Sequence, residues 1–464
     1  MTSTATSLRT ANDPAAWRIL YRLLQHYPGT LTVRLWDQTQ RTYCAQRSYG
    51  AGQVANEVTL TLQHPALLHQ LVLQPNPLHL AQAYFDGTLD VSGDVYEVLR
   101  LKTHFEHLTL PWREQAHLLL DALSLGGLPL PTWDALGQTI ANQARALGLI
   151  QGLGAKDAYQ TTFKHRHTPQ SDQAAIAFHY DVSNEFYGLW LDEARVYSCA
   201  YFHSPSDSLD QAQRNKLEHI CRKLRLRPGQ TLLDIGCGWG ALICWAAQNH
   251  GVRAHGITLS HDQLSYAQER IAREGLQDRV SVALCDYRYL PKDARFDCVS
   301  SVGMFEHVGL AQLPRYNAEV HRLLKPGGLF LNHGITHDED GWQRTLATEF
   351  INRYVFPDGE LDRVSNIALG MERAGFEILD IEALRPHYAM TLRHWVQRLE
   401  AQREAALALV GERTYRVWRL YMAACALEFE AGGTGLHQIL AAKPAQGRWP
   451  LPLTRQDLYE PVQG

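Results

Sequence analysis

The stretch Thr231–Gly240, TLLDIGCGWG, constrains this chain more than any other. Apolar Leu232, Leu233 and Ile235 surround a single acid, Asp234. Three glycines then alternate with Cys237 and Trp239 at Gly236, Gly238 and Gly240, and a helical pattern runs from Ala241 to Gly251. That order predicts a strand, a tight turn and a helix. Glycines suit such a turn because they take positive φ and let the backbone approach a ligand closely. The spacing G-x-G-x-G departs from the G-x-G-x-x-G of dinucleotide sites and favours S-adenosylmethionine over NAD. The next strand, VRAHGIT, ends without an acid for ribose hydroxyls, which also counts against NAD. Thr258, Leu259, Ser260 and Gln263 stand at that end instead; a capping box accounts equally well for Ser260 and Gln263. A third strand ends in Asp286 and Tyr287, an acid and a ring suited to holding and covering an adenine.

Downstream the strand–helix alternation continues. FDCVSSVG runs into MFEHVG, so Glu306 and His307 sit at a strand C-terminus, where open α/β sheets place chemistry. LFLNHGIT ends near His333. An insertion spans roughly 337–365, a strand covers 376–384, Tyr388 follows, two helices cover 389–410 and 413–430, and a last strand lies near 436–442. The count fits an α/β fold with a seven-stranded, Rossmann-like class I methyltransferase sheet and a helical cover. Upstream, residues 1–108 read as a smaller α+β domain for scaffolding or dimerisation. Residues 109–171 read as a helical connector and a flexible linker; His165 and His167 in it are followed by no further ligand set, so no metal is expected. Residues 172–464 form the catalytic domain. Its first part, 172–203, crowds aromatic residues that suggest a lid over an apolar substrate or a cation. The basic end of the helix at 208–227 reads as a solvated face, with anionic lipid as the functional alternative.

A net charge of −4 over 464 residues excludes a general nucleic-acid binder. The eight cysteines include no C-x-x-C pair, which points to reduced thiols and a cytoplasmic setting. The polar start lacks a signal-peptide core, and no apolar run reaches membrane-span length, so any membrane contact is expected to be peripheral.

Taken together, YSCAYF (197–202), LLDIGCGWG, TLSHDQ (258–263), MFEHVG (304–309), NHGI (332–335), YVFPDG (354–359) and RPHYAMTL (385–392) resemble the cyclopropane-fatty-acyl-phospholipid synthases, relatives of the mycolic acid cyclopropane synthases. The resemblance spans about 170–445. It implies transfer of the methyl of S-adenosylmethionine to a cis double bond of a phospholipid acyl chain, with a bound bicarbonate removing a proton as a ring closes. The bicarbonate ligands of the family match Cys199, Glu306, His333, Ile335 (through its backbone) and Tyr388. The cofactor contacts match Tyr197, Ser198, the 232–240 loop, 258–263, Asp286 and Tyr287. A second family cysteine matches Cys425, for which packing is the simpler reading. The resemblance further implies a homodimer and peripheral attachment to the inner face of the membrane. Taken singly, His333 also reads as a core histidine, Tyr388 as a packing ring and Glu306 as a helix-capping acid. Quenching of the same cation to a methyl- or methylene-branched chain, and small-molecule methylation, stay open.

Overall fold

The computed structural model describes residues 13–44, 58–73, 77–125, 183–342, 346–355, 359–447, 449 and 451–459. His165, His167, the linker and the first part of the aromatic segment lie outside the described residues. Two compact units are present, Met1–Phe163 with Glu412–Leu420, and Lys164–Gly411 with Tyr421–Gly464.

The first unit carries a four-stranded sheet ordered β2-β1-β3-β4, with β1 at Thr30–Arg34, β2 at Gln40–Cys44, β3 at Val58–Leu62 and β4 at Leu89–Gly93. Alternation in β1 and β3 turns Leu31, Val33, Leu60 and Leu62 inward. No local pattern announces β2, which is polar, or β4, whose Leu-Asp-Val-Ser-Gly is too short to show a period. The helix Ala15–Leu24 buries Trp17, Ile19 and Leu20, and its Arg22, 2% exposed, pairs with Glu114 at 2.7 Å and with Asp121. Arg416 donates to the carbonyls of Tyr84 at 2.7 Å and Leu89 at 3.1 Å, so residues 412–420 belong to this unit's core.

The second unit is built on a seven-stranded sheet ordered β10-β11-β9-β8-β5-β6-β7. Its strands are β5 (Thr231–Ile235), β6 (Arg253–Thr258), β7 (Val280–Leu284), β8 (Phe296–Val302), β9 (Leu324–His337), β10 (Glu377–Ala383) and β11 (Thr434–Ala442). Only β11 runs antiparallel to its neighbours β9 and β10. This is the class I methyltransferase sheet. Successive residues face opposite sides, which makes three layers. Leu232, Leu331 and Leu440 pack on one face, and Leu233, Phe330 and Ile439 on the other. The chain order reverses between β5 and β8, which opens a crevice at the strand C-termini.

Two sequence expectations change here. The helical cover breaks where the sequence places the boundary, at Gly411 (φ 73°, ψ 169°), but it has a further break at Gln402, after the helix Arg385–Ala401. The basic helix, Leu209–Lys223, is not solvated along its whole face: Lys216 is 2% and Lys223 1% exposed. Both fall on the stripe that also buries Leu209, Ala212, Gln213 and Ile220, so helical periodicity overrides their charge. No described helix is long and apolar enough to cross a membrane.

Candidate active site

The glycine turn behaves as its spacing demands. Gly236, Gly238 and Gly240 have φ of 81°, 53° and 82°. A Cβ on Gly236 would also lie 2.9 Å from Met304 Cγ, so both backbone and space require glycine there. Above the turn lies a cleft, open to solvent, with an empty volume of about 1110 Å³. Tyr197, Ser198, the segment Asp234–Trp239, Thr258, Leu259, Gln263, Asp286 and Tyr287 line it.

Four sequence candidates do not line it. Leu232 and Leu233 are fully buried on opposite faces of β5, because a central strand spends its middle residues on the two cores. Gly240 is the left-handed cap of the helix Ala241–His250. Ser260 caps the helix His261–Arg273 by accepting from Gln263 N at 3.2 Å. Gln263 meanwhile accepts from Thr258 Oγ1 at 2.6 Å. Asp286 does not face the cleft as a bare acid, since Arg288 holds it at 2.8 Å and 2.5 Å.

Beyond the turn at Met304 lies a second set of buried polar residues. Glu306 sits on the short turn Phe305–His307, after β8, and is 6% exposed. Its Oε1 accepts the Ile335 N–H at 2.8 Å, while its Oε2 is buried without a protein partner. The Ile335 amide is therefore already committed to Glu306. Burial raises the Glu306 pKa to about 7. His333 lies inside β9, beside Val302 of β8 and not at the strand's end as the sequence suggests, because pairing with β11 carries β9 on to His337. It is 1% exposed and lies opposite Gln438 of β11. Gln438 Nε2 stands 3.0 Å from His333 Nδ1. With the amide nitrogen donating, Nδ1 is the acceptor and the ring proton sits on Nε2. That Nε2 is buried without a partner, and burial holds the ring's pKa well below its usual value, so the imidazole is neutral.

Tyr388 and Cys199 complete the group. Burial raises the Tyr388 pKa, and Tyr197, Cys199, Glu306 and Cys425 act on it electrostatically in the same direction. Burial lifts the Cys199 thiol well above its usual range and the Cys425 thiol to about 12, so both stay protonated. Around them stand rings. Tyr197 and Trp190 lie 5.2 Å and 5.5 Å from Trp395, and Tyr388 lies 4.7 Å from Phe429. Phe186, Tyr187 and Trp190 are fully buried, which makes the helix Asn184–Trp190 a wall of the core and not a lid.

Residues 167–439 match the family model described as mycolic acid cyclopropane synthetase. The chain belongs to this family. It is 42% identical over 94% of its length to a "Probable fatty acid methyltransferase" of Pseudomonas putida, of which it covers 97%. It is 40% identical over 57% of its length to the cyclopropane-fatty-acyl-phospholipid synthase of Escherichia coli, covering 66% of that protein. The structure of mycolic acid cyclopropane synthase CmaA1 complexed with SAH and CTAB superposes with a TM-score of 0.55 at 32% identity, over 58% of this chain and 98% of that one. With the sheet described above, the chain is an S-adenosylmethionine-dependent methyltransferase of the mycolic acid cyclopropane synthetase family.

Two further residues of this family member bear on the site: one that sequence reasoning does not mark, Gln438, and one that it reads as part of a basic, solvated helix end, Lys216. Gln438 sets the His333 tautomer from a strand 105 positions away, and no local pattern marks it. Lys216 lines the cleft and donates to Ser198 Oγ at 2.9 Å. The apolar stripe of its helix is the signal that would have found it.

The Glu306 pKa gives a pH prediction. It rises from 4.5 to about 7, so the folded protein binds an extra proton between those values. Its contribution to stability is full below the lower value and is lost as pH rises through the upper one. Glu306→Gln cannot ionise. Its stability relative to the parent should therefore improve between pH 5 and pH 8 by up to about 3 kcal/mol. Urea denaturation of both proteins across that range checks the sign; a constant difference refutes it.

Proposed function

We propose that the chain transfers the methyl of S-adenosylmethionine to a cis double bond in the acyl chain of a membrane phospholipid and closes a cyclopropane ring. One observation carries this reading. Buried Cys199 and Glu306 both act electrostatically on Tyr388, and Glu306 Oε2 and His333 Nε2 are each buried without a partner.

The alkene π electrons attack the sulfonium methyl carbon, the C–S bond breaks, and S-adenosylhomocysteine leaves. The positive charge passes to the second alkene carbon. A proton then departs from the transferred methyl, and its C–H electrons form the third ring bond. The orphaned atoms fit a small oxyanion that both donates and accepts. His333 Nε2–H offers a donor, while Glu306 Oε2 accepts when ionised. Bicarbonate bound there would supply the base that takes the proton. The chain's own residues avoid competing with it, because the Cys199 and Cys425 thiols are protonated and poorly nucleophilic. The surrounding rings stabilise positive charge and exclude water.

The name of the Pseudomonas putida relative, which matches nearly the whole chain, supports a second reading in which the same cation ends as a methyl- or methylene-branched chain. Both readings require a chain drawn from a bilayer leaflet into an apolar pocket, and so a peripheral membrane contact.

Expression in a host lacking its own synthase, followed by mass spectrometry of the lipid acyl chains, tests the proposal. The expected product gains one CH₂, keeps its degree of unsaturation and resists mild hydrogenation. A product of the same mass that takes up hydrogen is methylene-branched, and one already carrying two further hydrogens is methyl-branched. No lipid change overturns both readings. In buffer stripped of carbon dioxide, turnover should fall and return on adding bicarbonate; indifference to bicarbonate would remove the base while leaving methyl transfer intact.

A further inference from the structure

Lys216 is an anomaly of the cleft. Its side chain lines the cavity although the residue is 2% exposed. An ammonium has three donors and no acceptor. Among the described residues, only Ser198 Oγ takes one of them, at 2.9 Å, and no carboxylate lies within ion-pair distance. Burial lowers the lysine's pKa to about 8, against the attraction of Asp192 and Asp234. Each of those acids is occupied. Asp192 accepts from Val196 N at 2.8 Å and Ala194 N at 2.9 Å, and Asp234 accepts from Ser300 Oγ at 2.7 Å. A buried cation with donors to spare calls for an anionic partner.

The cleft has its own complement for such a group. The co-substrate ends in an α-amino acid whose carboxylate is its one negative charge. Lys216 and Asp234 both line the cleft, one cationic and one acidic, which matches a zwitterionic tail end for end. The ammonium of Lys216 would otherwise repel the sulfonium, so a carboxylate beside it also removes an electrostatic penalty on binding. We infer that Lys216 recognises the α-carboxylate of the amino-acid tail of S-adenosylmethionine, directly and by orienting the Ser198 hydroxyl. The inference rests on the reading of this cleft as the S-adenosylmethionine site.

Calorimetry with two ligands tests it: S-adenosylhomocysteine and its decarboxylated analogue, 5′-(3-aminopropylthio)-5′-deoxyadenosine. The wild-type protein should bind the intact ligand more tightly, by about 30-fold or more. Lys216→Met should erase most of that preference, weakening S-adenosylhomocysteine by a similar factor and the analogue by less than about threefold. Ser198→Ala should take a smaller part of the same preference. Equal losses for both ligands in Lys216→Met would show a merely structural lysine, and no loss would show an idle one; either overturns the inference. If Lys216→Met does not fold, the wild-type comparison still decides, because equal affinities for the two ligands leave the carboxylate unrecognised. Failure of the wild-type protein to bind either ligand would instead bring down the reading of the cleft itself.

Discussion

Glu306→Gln is expected to lower turnover by about 10²–10³-fold while S-adenosylhomocysteine binds within about twofold of the parent. The substitution keeps the size of the side chain and keeps an oxygen for the Ile335 N–H, which Glu306 accepts at 2.8 Å. What it removes is the second carboxylate oxygen, the one buried without a partner. That atom makes no contact the fold requires, and Glu306 is not among the residues lining the cleft above the glycine turn. The cost therefore falls on the step after binding. Turnover by lipid mass spectrometry and binding by calorimetry separate the two. Full turnover in this variant would place the proton acceptor elsewhere, whereas lost cofactor binding would mean that Glu306 organises the cleft.

Gly334→Ala should damage both stability and activity. Gly334 lies in β9 between His333 and Ile335, where the Phe305–His307 turn presses against the strand. A Cβ there would stand 2.0 Å from Phe305 Cε1 and 2.9 Å from Glu306 Oε1. Neither neighbour has an easy exit, since Phe305 is 3% exposed inside the core. Overpacking of this kind costs about 1–3 kcal/mol. The turn must move away from β9, carrying Glu306 off the Ile335 amide, and misplacement by about an ångström lowers turnover roughly 10²-fold. Urea midpoints and product formation measure the two effects. Parent-like values for both would mean that the close approach at Gly334 is not a constraint on the site.

The glycine turn was legible because it is local. In Leu232–Gly240 a strand, a turn and a helix cap are all written within ten positions, and the positive φ of Gly236, Gly238 and Gly240 follows from that spacing. Strand periodicity likewise locates the end of β8, just before the turn that carries Glu306, but it stops the next strand near His333, whereas pairing with β11 carries β9 on to His337. The same periodicity, followed more strictly, moves Leu232 and Leu233 out of the site and into the two cores. It also moves Lys216 from a solvated face to the cleft, since a charged residue on an apolar stripe goes where the stripe goes.

The remainder depends on contacts between distant parts of the chain. That His333 carries its proton on Nε2 is decided by Gln438, which faces it only because β11 inserts antiparallel beside β9. The raised pKa of Glu306 and the protonated thiols of Cys199 and Cys425 come from burial, which no single segment specifies. The membership of residues 412–420 in the first unit likewise rests on Arg416 and Arg419 reaching carbonyls more than 300 positions earlier. By itself the sequence determined the sheet, the glycine turn and the family, because each is carried by short-range spacing. Only the tertiary structure decided protonation, tautomer and partnership, because these depend on how much water and which charges surround a group once the chain has closed over it.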